Sequence, residues 1–208
     1  MSEFFFKKAV NYFLRRTWVS RIKTSGKVFF LTFDDGPEPG ITEFVLDELK
    51  RYHFKATFFC KGSAVKKYPE LYRRILAEGH AVGNHTWSHI PAYLAAGQEY
   101  VEDVSRAGRL IPSKLFRPPN GCLTFLIWLA LRKKYKIIYW TIGSGDWCKE
   151  NLNVEKCLQN LTRTKAGDII LFHFSLDLET GTRQLLPPYL DWLHQNGFYS
   201  EAIPEDGL

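Results

Sequence analysis

Two histidines and two aspartates stand at spacings that can hold a divalent cation. His85 and His89 are four residues apart in "NHTWSH", so on one helical turn or in a tight loop both imidazoles can face the same point. Asp34 and Asp35 directly follow the apolar run "VFFLTF". Two imidazoles and one carboxylate form a facial set of three protein ligands, with positions left open for water or substrate. The pattern therefore predicts a metal centre built from the histidine pair and one aspartate.

The second aspartate of the pair has a chemical use of its own. A cation at one carboxylate cancels the repulsion between the neighbours and leaves the other free to accept a proton from water. Arg117 can pair with that base and keep its pKa low, while His173 can protonate a leaving group with Asp146 holding its imidazole. A water activator on one side and an acid on the other suit hydrolysis of an amide or an ester. At this point either aspartate can be the ligand.

Short β-rich runs alternate with segments of helical spacing along the chain. The predicted strands are 28–33, 56–60, 80–84, 115–118, 136–143, 168–174 and, more weakly, 197–203. The predicted helices are 41–53, 62–78, 93–111, 123–134, 153–164 and 179–195. Near-continuous apolar strands that alternate with helices are typical of a parallel sheet covered by helices. The sequence thus predicts an α/β domain, with a closed or nearly closed barrel favoured over an open sheet.

The candidate residues all lie where predicted strands end. In a parallel α/β barrel these C-terminal ends meet on one face, which is where active sites form. Separate segments therefore bring their polar side chains to one place: Asp34, Asp35, His85, His89, Arg117, Asp146 and His173.

The positive charge of the chain is concentrated at its start. The formal net charge is +6, and residues 1–27 hold all of this excess, since acids and bases balance in the rest of the chain. This distribution argues against a nucleic-acid-binding domain. Basic residues also interrupt the segment too often for a signal peptide or a membrane-spanning helix. We expect residues 1–26 to form either an extra helix packed on the domain or a peripheral membrane contact through residues 4–23, with one apolar face made of Phe6, Val10, Phe13 and Leu14.

Five short motifs occur in an order and spacing that resemble those of the polysaccharide deacetylases, the carbohydrate esterase family four or NodB-homology group. They are "TFDDGP" (32–37), "HTWSH" (85–89), "RPPNG" (117–121), "GSGDW" (143–147) and "LFH" (171–173). The resemblance extends over about residues 27–200. It implies a distorted (β/α)7 barrel with parallel strands and helices outside, which uses zinc or a similar divalent ion (cobalt, nickel or manganese) to remove acetyl groups from sugar polymers.

The resemblance also assigns a role to each motif residue. It implies that Asp34 is the general base and that Asp35, His85 and His89 bind the metal. By the same likeness, Arg117 tethers the base, and His173 is the catalytic acid supported by Asp146. The implied substrate contacts are a backbone N–H near Asn120 and the walls that receive the acetyl methyl group, and the candidate substrate-binding residues are Asn120, Trp147, Leu171 and Pro118.

Two positions depart from the family pattern. Asn120 stands where the third motif usually carries tyrosine, which changes the wall of the groove but spares a role of the backbone N–H. Gly143 stands where the fourth motif usually carries an aspartate. Asp146 is retained, so we expect catalytic activity with an altered fit to the substrate.

Our prediction is a metal-dependent hydrolase that removes N-acetyl, or alternatively O-acetyl, groups from an amino-sugar polysaccharide or oligosaccharide. The alternatives are a deformylase-like enzyme that acts on a lipid-linked amino sugar and a non-catalytic carbohydrate-binding relative. We expect a monomer with an acetylated carbohydrate as partner and no nucleic acid. Residues 27–208 are the predicted catalytic domain, and the absence of an export signal in this sequence favours a cytoplasmic or inner-membrane-peripheral location over secretion.

Overall fold

The computed structural model describes residues 17–207, which form eight parallel strands and seven α-helices. The strands are β1 (Val28–Asp35), β2 (Ala56–Cys60), β3 (Ala81–Asn84), β4 (Leu115–Phe116), β5 (Lys136–Ile137), β6 (Ile142–Gly143), β7 (Ile169–His173) and β8 (Tyr199–Ser200). The helices are α1 (Ile41–Arg51), α2 (Gly62–Lys67), α3 (Pro69–Ala77), α4 (Gly97–Gly108), α5 (Phe125–Leu131), α6 (Val154–Leu161) and α7 (Glu179–Gln195). Short 3₁₀ turns at 119–121, 146–151 and 176–178 connect several of them.

The strands form one parallel sheet in the order β5-β4-β3-β2-β1-β7-β6, with β8 paired to the start of β1. The curled parallel sheet with helices confirms the predicted α/β barrel architecture. β1 lies at the centre between β2 and β7, and its register sets Asp34 opposite Phe59 on one side and His173 on the other. The central position explains why β1 is apolar through to its two terminal aspartates: both of its faces are buried.

The predicted strand 136–143 is wrong as a single element, because it consists of β5 and β6, which lie at opposite edges of the sheet. The residues between them cross the gap that separates the edges. Ile138 N–H donates to the Phe116 carbonyl at 2.9 Å, and Thr141 N–H donates to the Ile169 carbonyl at 2.8 Å. One segment therefore pairs first with β4 and then with β7, and so runs from one edge of the curled sheet to the other.

The predicted helix 62–78 is also interrupted. It forms two helices, α2 and α3, that meet at Tyr68 with φ −130° and ψ 61°. Pro69 causes the break, because its ring disfavours the helical conformation for the residue before it. The helices predicted at 93–111 and 123–134 are shorter at both ends in the structure, whereas 179–195 has the predicted bounds.

The start of the described chain packs into the barrel. Trp18 is buried with residues of α4 and α5, and Val19 N–H donates to the Ile137 carbonyl at 2.9 Å. Ile22 N–H donates to the Gly167 carbonyl at 2.9 Å, beside the salt bridge between Arg21 and Asp168. The predicted apolar helix face with Phe6, Val10, Phe13 and Leu14 lies outside the described residues, and the proposed boundary at residue 26 stays a prediction.

Alternation along the strands sorts their side chains into two environments. Phe29, Leu31 and Phe33 of β1 belong to the large core shared with the helices, together with residues of α1 and α7. Phe30 belongs to a second cluster with Phe59 and residues of β4 and β7. Thr32 and Asp34 continue this second face towards the end of the strand. The sheet thus presents its polar residues at one end of an otherwise apolar surface.

Candidate active site

Asp34 and His173 reach the same cavity because they are register partners on neighbouring parallel strands. Their side chains therefore leave the sheet on one face, as do those of the preceding pair, Thr32 and Leu171. Strict alternation would send Asp35 to the opposite face. Its backbone has φ 90°, an uncommon value for a residue other than glycine, which turns the chain at the end of β1. The carboxylates of the two aspartates consequently lie close to the same histidine.

The two histidines occupy a loop that follows β3. His85 is buried, and its Nδ1–H donates to the carbonyl of Arg117 at 2.7 Å, so its Nε2 carries the lone pair. This Nε2 lies 3.6 Å from Asp35 Oδ1 and 3.9 Å from Asp34 Oδ2. Burial, with the neighbouring His89 imidazole, lowers the pKa of His85 to about 3. His85 is therefore neutral, which is the state that binds a metal.

The ligand atoms of Asp35, His85 and His89 lie within 4.8 Å of one another. His89 Nε2 is 3.1 Å from Asp35 Oδ1, yet this buried oxygen accepts no hydrogen bond from any of the described residues. Buried carboxylate oxygens normally have a partner, because leaving one without a hydrogen bond is costly. Two imidazole nitrogens beside an unpaired carboxylate oxygen fit a divalent cation. We call these three residues the metal side of the cavity.

Asp34 is tied to a fully buried arginine. Arg117 Nη1 donates to Asp34 Oδ1 and to Thr32 Oγ1, each at 2.7 Å, and its Nη2 donates to the Tyr139 carbonyl at 3.0 Å. Its guanidinium also lies over the ring of Phe59 at 4.2 Å from the centroid. Burial raises the pKa of Asp34, and the charge of Arg117 opposes that rise. Asp34 is thus held in one orientation with its second oxygen directed towards His85.

His173 is held from the opposite direction. Its Nδ1 lies 2.8 Å from Asp146 Oδ1, and its backbone N–H donates to Asp146 Oδ2 at 2.7 Å. Thr182 Oγ1–H donates to the same carboxylate at 2.9 Å. Burial alone would lower the pKa of His173, but the Asp146 carboxylate, together with Asp35 and Asp34, raises it to about 9. We call His173, Asp146 and Thr182 the acid side; at neutral pH its imidazole is protonated, with Nε2–H left to donate.

Both sides open into one cavity of about 580 Å³. Trp147 stands against His173, with ring centroids 5.8 Å apart and ring planes at 80°, and about two fifths of its surface is exposed. Leu171, Trp140 and Asn120 also line the cavity. Asn120 has φ 56°, a left-handed conformation that asparagine tolerates better than most residues do. Pro118 is buried outside this lining, where its carbonyl accepts from Gly121 N–H, so its contact with substrate stays a prediction.

Gly143 bears directly on the position of Trp147. A Cβ atom at Gly143 would lie 2.4 Å from the indole ring of Trp147, far inside van der Waals contact. Any larger residue at position 143, such as the aspartate usual in the family, would therefore displace Trp147 from the wall of the cavity. The glycine gives Trp147 the room to stand where it does.

Sequence reasoning missed several residues that support or line the site. Thr32 is detectable in principle, because it lies two residues before Asp34 on the same face of β1. Thr182 belongs to α7 and reaches Asp146 only through the tertiary fold, so no local pattern marks it. Five further residues line the cavity without belonging to any motif: Glu38, Lys61, Ser175, Asp177 and Leu178.

Comparison with known proteins identifies the family of this chain. The profile of the family described as polysaccharide deacetylase matches residues 21–137. A peptidoglycan-N-acetylglucosamine deacetylase of Bacillus cereus is 30% identical over 198 residues, which are 91% of this chain and 91% of that protein. A second protein of that name from the same organism is 36% identical over 86% of this chain and 70% of its own length.

A solved structure has the same fold. The crystal structure of the Bc1960 peptidoglycan N-acetylglucosamine deacetylase, in complex with an N-oxidanyl-benzamide, superposes with a TM-score of 0.83 and 26% identity. It covers 92% of this chain, and this chain covers 94% of it. The chain belongs to the polysaccharide deacetylase family and is an enzyme of carbohydrate deacetylation.

Among the described residues, no helix is both long and apolar enough to cross a membrane.

Proposed function

We propose that this enzyme removes N-acetyl groups from an amino-sugar polymer, with the N-acetylglucosamine residues of peptidoglycan as its substrate. The observation that carries the proposal is the arrangement of one cavity, in which a buried carboxylate and a protonated histidine flank a set of three metal-binding side chains. The naming of two relatives as peptidoglycan-N-acetylglucosamine deacetylases supports this choice of polymer. That this chain acts on the same polymer as these relatives is part of the proposal.

Asp35, His85 and His89 are the proposed ligands of a divalent cation. Zinc is the first candidate, since two imidazoles and one carboxylate with an open position are typical of catalytic zinc sites, and cobalt, nickel or manganese are alternatives. When bound, such a cation supplies Lewis acidity, which polarises a carbonyl group and acidifies water. The hydrogen bond from His85 Nδ1–H to the Arg117 carbonyl keeps its Nε2 aimed at that position.

Asp34 is the proposed general base. Its Oδ1 is occupied by Arg117, so Oδ2, on the side of His85, is the oxygen that takes a proton from the attacking water. Burial raises the pKa of Asp34, which increases its affinity for that proton. Arg117 fixes the orientation of the carboxylate through a buried, charge-assisted hydrogen bond.

His173 is the proposed general acid. Asp146 binds its Nδ1 and keeps the imidazole protonated, so Nε2–H is the proton that passes to the departing sugar amine. Asp34 and His173 are register partners on adjacent strands, so base and acid approach the scissile amide from one side of the sheet. The amide nitrogen must be protonated as its bond to the acyl carbon breaks, and His173 supplies that proton without waiting for solvent.

The wall formed by Trp147 and Leu171 is the proposed seat of the acetyl methyl group, since both side chains line the cavity beside His173. The backbone N–H at Asn120 is the proposed donor to the oxyanion that develops on the acetyl oxygen. Because this role belongs to the backbone, asparagine can replace the tyrosine usual in the family. Trp140 offers an aromatic surface to a sugar ring at the same cavity.

Acetate release from a panel of glycans tests the proposal. The full chain, first treated with a chelator, is assayed on peptidoglycan, on N-acetylglucosamine oligomers and on acetylated xylan, with and without restored Zn²⁺ or Co²⁺. We expect acetate from the two amino-sugar substrates, release that depends on the restored cation, and a higher rate on peptidoglycan. Lack of acetate from every substrate would identify a carbohydrate-binding relative instead, and formate from a formylated lipid-linked amino sugar would identify a deformylase.

A further inference from the structure

We propose that Asp103, on helix α4, is the positioning residue that shapes the loop between the two histidine ligands. The proposal rests on the metal site proposed above and extends it to a carboxylate outside the family motifs. It follows from the hydrogen bonds that the backbone N–H groups of the loop 85–89 make. A loop that holds two ligands of one ion must keep them at a fixed separation.

The loop adopts an unusual conformation. Thr86 has φ 65° and His89 has φ 61°, so two of its five residues are left-handed without being glycine. Such conformations persist only where the surroundings over-determine them. The loop is therefore held in place by contacts, because its own backbone preferences would not produce this shape.

One carboxylate accepts three of the hydrogen bonds that hold the loop. Asp103 Oδ2 accepts from Trp87 N–H at 2.8 Å and from Ser88 N–H at 3.1 Å, and Asp103 Oδ1 accepts from Ser88 Oγ–H at 3.0 Å. Thr86 N–H donates to Asn84 Oδ1 and His89 N–H to Thr86 Oγ1, while the Thr86 and Trp87 carbonyls accept from the N–H groups of Gly62 and Ser63 at the start of α2. Successive backbone N–H groups that converge on an anion form a concave arrangement which a negative charge stabilises strongly.

Asp103 transmits the position of α4 to the metal side. The helix is anchored by its buried residues Tyr100, Val104 and Ala107, and the Val104 carbonyl accepts from Asn84 Nδ2 at 2.9 Å at the end of β3. Trp87 is packed from the other direction against α2: a Cβ atom at Gly62 would lie only 2.7 Å from its ring. The loop thus lies between two helices, and the carboxylate of Asp103 fixes its position relative to α4.

The test measures metal affinity directly, so that it does not depend on turnover. Asp103→Ala and Asp103→Asn are made in the full chain, treated with a chelator and titrated with Zn²⁺ and with Co²⁺, whose visible absorption reports the ligand geometry. Groups that hydrogen-bond a metal ligand directly typically change the metal affinity about 10–100-fold when they are lost. Asp103 bonds the residues between the two ligands, so we expect a loss at the lower end of this range, about tenfold, for Asp103→Ala. Asp103→Asn should lose less, because its remaining oxygen can still accept from both N–H groups.

Glu99→Ala is the matched control, because Glu99 is an acid on the same helix that accepts from Ala96 N–H at its start and makes no contact with the histidine loop. It should weaken α4 without changing metal affinity or the Co²⁺ spectrum. Ser88→Ala, which removes only one hydrogen bond to Asp103, serves if Asp103→Ala fails to fold, and a few-fold loss of affinity is expected for it.

Two results overturn the inference while leaving the proposed function intact. One is wild-type affinity in the Asp103 variants; the other is an equal loss in Glu99→Ala, which would make Asp103 a general support of the helix. Failure of the wild-type chain to bind either ion would overturn both proposals, because no site would exist for Asp103 to position.

Discussion

The acid side and the metal side of the cavity differ in how their polar atoms are satisfied. On the acid side, Asp146 accepts from the backbone and the imidazole of His173 and from the hydroxyl of Thr182. On the metal side, the buried Asp35 Oδ1 has two imidazole nitrogens beside it but accepts no hydrogen bond from the described residues. The acid side is complete as a protein structure, whereas the metal side leaves a buried carboxylate oxygen for the proposed cation.

This difference predicts that the two sides respond separately to substitution. Groups that are fully hydrogen-bonded within the protein are organised before any ligand arrives, and removal of a cation should leave them in place. When a cation is removed from its ligands, the ligand groups repel one another or are left with polar atoms that have no partner. Asp34 shares features of both sides. Its Oδ2 lies 3.9 Å from His85 Nε2 on the metal side, but its carboxylate is held by Arg117 within the protein.

Asp34→Asn should produce the largest loss of activity. Loss of a positioned general base costs about 10²–10⁴-fold in turnover, and we expect kcat to fall in this range. Metal affinity should stay within a few-fold of wild type, as measured by calorimetric titration of the chelated protein. Asp47→Asn is the matched control, because Asp47 is an exposed acid of α1 that pairs with Arg74.

Asp35→Asn should separate binding from proton transfer. We expect metal affinity to fall by more than the roughly 10–100-fold typical of residues one step removed from the ion. The chelated variant should unfold at the same temperature as chelated wild type or higher, because the substitution removes an unpaired buried charge and asparagine also tolerates φ 90°. If Asp34→Asn weakens metal binding and Asp35→Asn does not, the two roles are reversed.

Asp146→Asn should change the pH dependence of the acid side. As the proposed acid, His173 acts in its protonated form, so we expect activity below its pKa of about 9 and loss of activity as the pH rises through that value. Without the Asp146 carboxylate, this limb of the kcat/KM profile should move down to the ordinary histidine pKa of about 6.5 or below. The loss at pH 8 should be on the order of tenfold or more, with a smaller loss at pH 6. An unmoved limb would assign the titration to another group.

Gly143→Ala should have the smallest effect of the four and should act on the wall beside the acid side. The added methyl group overlaps Trp147, and overpacking of this kind costs about 1–3 kcal/mol. We expect a lower unfolding temperature, a change in tryptophan fluorescence and a few-fold higher KM, with little change in metal affinity. Gly97→Ala is the control, because a Cβ atom there would meet its nearest neighbour only at 3.9 Å. Equal behaviour of the two variants would show that Trp147 moves aside freely.

The residues at the strand ends could be predicted as one site for two reasons. Parallel barrels bring these ends together, and the residue types found there suit a metal-dependent hydrolysis. A parallel barrel brings the ends of its strands together, so Asp34, His85, Arg117 and His173 share one place whatever their exact geometry. The sequence also contains the apolar periodicity that predicts where most strands and helices lie. The roles of these residues came from the resemblance to a family, because neighbouring aspartates have the same chemistry until their backbone is known.

What could not be predicted depends on distant contacts or on local backbone strain. Side chains along a strand alternate between its two faces, and the left-handed φ of Asp35 breaks this alternation at the end of β1. Thr182 and Asp103 act on the site from helices whose orientation no short pattern specifies. The division of 136–143 into two strands follows from the curl of the sheet, which brings its two edges within reach of one segment.

The two edges of the curled sheet, β5 and β6, bear on how the enzyme behaves at high concentration. An exposed edge strand offers unpaired backbone groups to which another chain can add a strand, and proteins cover such edges to avoid aggregation. Here Val19 pairs beside β5, Thr141 Oγ1–H donates to the Ser20 carbonyl, and Asn160 Nδ2 donates to the Gly143 carbonyl at the end of β6. Residues 19 and 20 therefore cover part of the β5 edge, and we expect substitutions that loosen them to reduce solubility before they reduce catalysis.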